Sequence, residues 1–111
     1  MAIAIAGVRI WDGVAQHTGD VLETVRIEGD RIAGIGTDAS LRRNARVLEF
    51  DGATALPGLM DAHVHLNLEP MLKGPDEQLA VAPDDRRKAM ERRAAEMLSA
   101  GITTARDLGG G

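Results

Sequence analysis

From Met1 to about Leu56 the apolar residues recur at short, strand-like intervals. Ile3 and Ile5 share one face, and Val8 and Ile10 share the other. Side chains of a strand alternate between faces, so this change of phase predicts a bulge or tight turn near Gly7. Val21, Val25 and Ile27 line one face of a second strand. Gly29-Asp30 then separates it from Arg31–Ile35, as a hairpin turn would. Ser40–Asn44 has room for one helical turn. Arg46–Phe50 and Ala53–Leu56 read as two further strands around a turn at Asp51-Gly52.

The texture changes at Pro57-Gly58. Leu59–Leu66 reads as a short buried strand, followed by a loop containing Pro70, Gly74 and Pro75. Pro83 then opens a helix reaching Ala100, with Asp84 and Asp85 in the first turn, where carboxylates meet the positive end of the helix dipole. Met90, Ala94, Met97 and Leu98 form its apolar stripe and Gly101 its C-terminal cap. Ile102–Asp107 is a further strand. A strand, a long helix and a strand in that order make a parallel βαβ unit. Two parallel strands need neighbours and covered faces, so the expectation is the beginning of a larger α/β architecture or a chain that needs a partner. The exposed edge after Asp107 argues against a self-sufficient small domain.

Composition narrows the chemistry. Apolar residues make up 44 % and charged residues 27 %, a globular balance. The net charge of −4 gives no footprint for nucleic acid or an anionic membrane. The N-terminus lacks the basic start of a signal peptide, and no apolar run is long enough to span a bilayer. The chain has no cysteine, so any metal site must use nitrogen and oxygen ligands; this also fits a cytoplasmic protein.

The chemistry concentrates in Asp61-Ala62-His63-Val64-His65. Alternation puts Asp61, His63 and His65 on one face, the two imidazoles about 7 Å apart along the strand. Such a pair can converge on one divalent metal, zinc being well suited to neutral imidazole. An incidental pair on a partly exposed strand has the same spacing, and spacing alone does not separate the two. Asp61 is a candidate to support the site through a hydrogen bond, or else caps the start of its strand. Arg106 and Asp107 lie on opposite faces at the end of the second parallel strand. Arg106 offers a bidentate guanidinium to a substrate carboxylate, an intramolecular ion pair being the plainer reading. Asn67 and the 67–82 loop are expected to shape the pocket. His17 reads as solvent-exposed, and Arg86, Arg87, Arg92 and Arg93 as a solvated helix face.

The block Ala55-Leu56-Pro57-Gly58-Leu59-Met60-Asp61-Ala62-His63-Val64-His65-Leu66 resembles the signature of the amidohydrolase superfamily. Upstream, Val8–Gly13 and Ile27–Gly36 resemble the strands that precede this block in members with an N-terminal β-sandwich. Downstream, Ala100–Gly110 resembles the second barrel strand of the imidazolonepropionase and prolidase-like branches. The resemblance implies an α/β fold, the start of a (β/α)8 TIM barrel preceded by a small β-sandwich subdomain. Residues 1–56 would belong to the sandwich and residues 57–111 to the first β-α-β segment of the barrel. It implies one or two divalent metal ions, usually zinc, with His63 and His65 as ligands. It further implies hydrolysis of a C–N bond of an amide, peptide-like or cyclic amide substrate by metal-activated hydroxide. The remaining ligands and the general base would lie beyond residue 111. A small-molecule substrate, the remainder of the barrel and a homo-oligomeric full-length protein complete the expected partners. The alternatives are a cyclic-amide hydrolase or deaminase of the same fold, or a non-catalytic relative. The presence of both histidines argues against the last. Two histidines do not complete a catalytic zinc site, so residues 1–111 alone are expected to be inactive.

Overall fold

The structure, a computed structural model, describes residues 1–14 and 20–109. His17, Gly110 and Gly111 lie outside the described residues. The chain divides into two units, Met1–Pro57 and Gly58–Gly111.

The first unit is a four-stranded mixed sheet. It comprises β1 (Ala2–Ile10), β2 (Glu23–Glu28), β3 (Arg31–Gly36) and β4 (Ala45–Ala55), in the order β3-β2-β1-β4. β1 pairs antiparallel with β2 and parallel with β4, and β2 pairs antiparallel with β3 through the expected Gly29-Asp30 turn. The register on both sides of β1 shifts between Ala6 and Val8, which is the bulge announced by the change of apolar phase. Gly7 is required there. Its φ is +71°, and a Cβ would lie 2.4 Å from the Phe50 carbonyl oxygen.

The opposing irregularity explains a correction. Asp51-Gly52 is not a turn between two strands, because β4 runs unbroken from Ala45 to Ala55. Its pairing advances from Glu49 opposite Ala6 to Ala53 opposite Val8, and Gly52 takes a φ of +73°. The Arg9 guanidinium donates to the Gly52 carbonyl. The Asp-Gly pair therefore bends one strand around the bulge of its neighbour.

One sheet face carries the covered residues Ala4, Ala6, Val8 and Thr24. A 3-10 turn, Ala39–Arg42, lies against it where a helical turn was expected. Leu41 reaches Gly34, and the Arg26 guanidinium donates to the Leu41 and Arg43 carbonyls at 3.0 and 2.8 Å. The other face presents Ile5, Val25, Ile27, Ile32 and Ile35 around an open apolar hollow. Among the described residues this unit holds a single sheet, so the second layer of the expected sandwich is not within them.

The second unit contains β5 (Leu59–Val64), α1 (Pro75–Ala80), α2 (Pro83–Ser99) and β6 (Ile102–Asp107). β5 and β6 are parallel neighbours, as the strand, helix, strand order requires. Two glycines shape their junction. Gly101, at φ +90°, ends α2 with its N–H on the Leu98 carbonyl. Gly58 leaves room for Thr103, whose Oγ1 would lie 2.0 Å from any Cβ at that position. α1 was expected to be loop. It begins on Pro75 with Asp76 and Glu77 in its first turn, the same opening as α2.

α2 packs against β6. Ala94, Met97 and Leu98 of its expected stripe line an open hollow with Leu66 and Ile102–Ala105. Its arginines require a second correction. Arg87 and Arg92 are exposed, but Arg86 and Arg93 are not part of a solvated face. Arg86 donates to the Gln78 carbonyl at 3.0 Å. Arg93, its side chain only 14 % exposed, holds the Leu66 carbonyl and the Glu69 carboxylate. Both sit on the helix stripe that meets the 66–81 segment, where their guanidinium groups donate to backbone carbonyls.

Candidate metal centre

The site lies where β5 and β6 end side by side. Register places Val64 opposite Asp107, so the residues flanking Val64, His63 and His65, emerge next to the exit of β6. β5 closes at Val64 and His65 begins a turn, its carbonyl accepting from Leu68 N–H at 3.3 Å. Of the three residues expected on one face, the two histidines come together. The Nε2 atoms of His63 and His65 are 3.2 Å apart, and the rings meet edge to face with centroids 5.1 Å apart.

The other nitrogen of His65 fixes its tautomer. Nδ1 lies 2.6 Å from the Gly109 carbonyl oxygen, which can only accept, so Nδ1 carries a hydrogen. In the neutral ring the lone pair is then on Nε2 and points at His63. A hydrogen bond from His63 Nε2–H satisfies that lone pair. A shared cation would satisfy it as well: two imidazole nitrogens on one tetrahedral zinc stand about 3.3 Å apart, given Zn–N bonds near 2.05 Å. The observed spacing, the fixed tautomer and the nitrogen-only donor set all fit a zinc-like ion. Among the described residues no group of three or more His, Cys, Asp or Glu side chains surrounds such a point, so further ligands would have to come from elsewhere.

The neighbouring side chains hold backbone. Asp61 Oδ1 accepts from His63 N–H at 3.0 Å, a bond within β5 rather than a cap at the start of the strand. Asp107, singled out in the sequence only as the end of β6 beside Arg106, accepts from Leu66 N–H at 3.2 Å through Oδ2 and from Gly109 N–H at 2.7 Å through Oδ1. Leu108 N–H completes the junction on the Val64 carbonyl at 2.9 Å. Arg106 is exposed and makes no ion pair among the described residues.

Asn67 and the following loop form a different feature. With Leu72, Pro75, Gln78 and Arg86 they line a hollow of about 450 Å3 whose walls include neither histidine. Asn67 Oδ1 is buried there without a hydrogen-bond partner among the described residues.

The sequence profile of the Amidohydrolase family matches residues 54–111. An allantoinase of Enterococcus faecalis is 40 % identical over 53 residues, which are 48 % of this chain and 11 % of that protein. An adenine deaminase of Cenarchaeum symbiosum is 40 % identical over 58 residues, 49 % of this chain and 10 % of that protein. A solved structure of molinate hydrolase superposes with a TM-score of 0.73 at 34 % identity, over 96 % of this chain and 23 % of that one. The chain thus spans about a tenth of the curated relatives and about a quarter of the solved structure.

Proposed function

Because this chain belongs to the amidohydrolase family, we propose that it supplies the first metal ligands of a hydrolase acting on a C–N bond. His63 and His65 are those ligands, for a divalent ion of which zinc is the best fit. Residues 57–111 form the opening β-α-β segment of a (β/α)8 barrel, and residues 1–56 form part of a β-sandwich. The observation that carries this reading is the convergence of both Nε2 atoms to 3.2 Å while His65 Nδ1 is occupied by the Gly109 carbonyl.

When bound, the metal supplies Lewis-acid polarisation of the scissile carbonyl and lowers the pKa of water toward neutrality. The residues of this chain orient and hold. The Gly109 carbonyl keeps the His65 proton on Nδ1 and so leaves Nε2 free as a donor atom. Asp61 fixes the backbone at His63. Arg106, exposed at the end of β6, is placed to hold a carboxylate or other anionic group of a small-molecule substrate. A catalytic zinc takes three protein ligands plus water, so the site is completed by other parts of the full-length protein.

Amide, peptide-like and cyclic-amide substrates all suit this chemistry. A deaminase or cyclic-amide hydrolase is the second reading, favoured by the matches to proteins named adenine deaminase and allantoinase. The test is metal removal. The full-length protein dialysed against a chelator should lose hydrolysis of a C–N substrate panel and regain it with added zinc. Undiminished turnover after complete metal removal would contradict the proposal.

A further inference from the structure

His65 is fixed from two directions, and both lead to one side chain. Its ring is fixed by the Gly109 carbonyl, which accepts from Nδ1 at 2.6 Å. Its backbone continues into Leu66, whose N–H donates to Asp107 Oδ2 at 3.2 Å. The other oxygen of Asp107 accepts from Gly109 N–H at 2.7 Å. One carboxylate therefore bridges the residue after His65 and the residue whose carbonyl orients the His65 ring. Gly109, at φ +76°, makes the left-handed turn that carries the chain back over its own Asp107.

We propose that Asp107 is a positioning residue for the metal centre. It acts through Gly109 and Leu66, fixes the His65 tautomer and direction, and touches neither metal nor substrate. The proposal rests on the reading of His65 as a ligand. Physical reasons favour a carboxylate here. It is an acceptor with two oxygens, and both of its partners are backbone N–H donors at the two strand exits. Bonds from N–H to a carboxylate are stronger than those to a neutral acceptor, so they suit a part that must hold a ring in one direction. Without this bridge the Gly109 carbonyl is free to rotate away. The His65 proton can then move to Nε2, where it blocks metal binding. Outer hydrogen-bond partners of metal-bound histidines typically change metal affinity by roughly 10–100-fold when removed.

The test uses the full-length protein stripped of metal and titrated with cobalt(II) against a competing chelator. Affinity and the visible d–d spectrum are read together. Asp107→Ala should weaken cobalt binding by roughly 10–100-fold and alter the d–d bands, which a purely structural residue would leave alone. Asp107→Asn keeps one acceptor oxygen but sets an NH2 group against the other N–H donor, so it should fall between wild type and Ala. His65→Ala is the control for the underlying reading. If it loses affinity while both Asp107 variants keep the wild-type affinity and spectrum, the positioning role is wrong and the ligand reading stands. If His65→Ala also binds cobalt like wild type, the ligand reading itself has failed. Should the Ala variant not fold, the Asn variant decides, and a wild-type affinity and spectrum in it overturns the proposal.

Discussion

Adding one methyl group at Gly58 tests how the Pro-Gly lead positions β5. In Gly58→Ala the new Cβ would meet Thr103 Oγ1 at 2.0 Å, Cγ2 at 2.5 Å and Cβ at 2.7 Å. Rotating the threonine about χ1 moves the first two atoms away but leaves its Cβ in place. The Cβ pair must still open from 2.7 Å to the 3.4 Å at which ordinary contact begins. That 0.7 Å has to come from the backbone, beside the Leu59–Ile102 pairing. Overpacking a fitted site costs about 1–3 kcal/mol, and the upper half of that range applies because the clash involves a β-branched residue on a neighbouring strand. The assay is urea denaturation of the full-length protein in a double-mutant cycle with Thr103→Gly, which removes every clashing atom. Gly58→Ala should cost about 2–3 kcal/mol alone and much less in the Thr103→Gly background, a coupling of at least about 1 kcal/mol. A single variant within about 0.5 kcal/mol of wild type, or costs that simply add, would refute the reasoning.

The two classes of arginine on α2 should separate cleanly. Arg93→Met leaves the half-buried Glu69 carboxylate and the Leu66 carbonyl without their donor and should destabilise by roughly 1–3 kcal/mol in the same assay. Arg92→Met removes only an exposed pair with Glu96 at 3.7 Å and should stay within about 0.5 kcal/mol of wild type. Hydrogen bonding from Ser40 holds the Asp38 carboxyl below its usual range. Its folded pKa lies under the unfolded one, so its stabilisation is present above the unfolded value and fades as pH falls through the folded value. A carboxyl NMR titration should show this downward displacement, and Ser40→Gly should keep part of it because the backbone N–H remains; an Asp38 titration at the ordinary value would refute the assignment.

The sequence made visible whatever depends on local periodicity. The bulge at Gly7 showed as the phase change from Ile3 and Ile5 to Val8 and Ile10. The Pro83 helix and the parallel β5–β6 pair followed from element order, and the meeting of His63 and His65 from a two-residue period. Features set by register were hidden. Asp51-Gly52 carries the usual turn chemistry, and only the bulge of the parallel neighbour shows why β4 continues through it. α1 is too short for its apolar period to register. Arg86 and Arg93 looked solvated because charge commonly marks the outer face, yet both donate to backbone carbonyls of the 66–81 segment and Arg93 also pairs with the Glu69 carboxylate. The bonding of Gly109 and Asp107 was not legible because their bonds to His65 and Leu66 join positions 44 and 41 residues apart.

Whether His63 and His65 bind the metal is decided by the metal stoichiometry of the full-length protein carrying His63→Ala and His65→Ala together. Elemental analysis after purification in zinc-containing buffer, alongside turnover, gives the answer. Metal content and activity should fall together while the far-ultraviolet circular dichroism stays that of wild type, since aliphatic packing rather than the metal holds the strands. A folded double variant that keeps its full metal complement and full turnover would show that these histidines are not ligands.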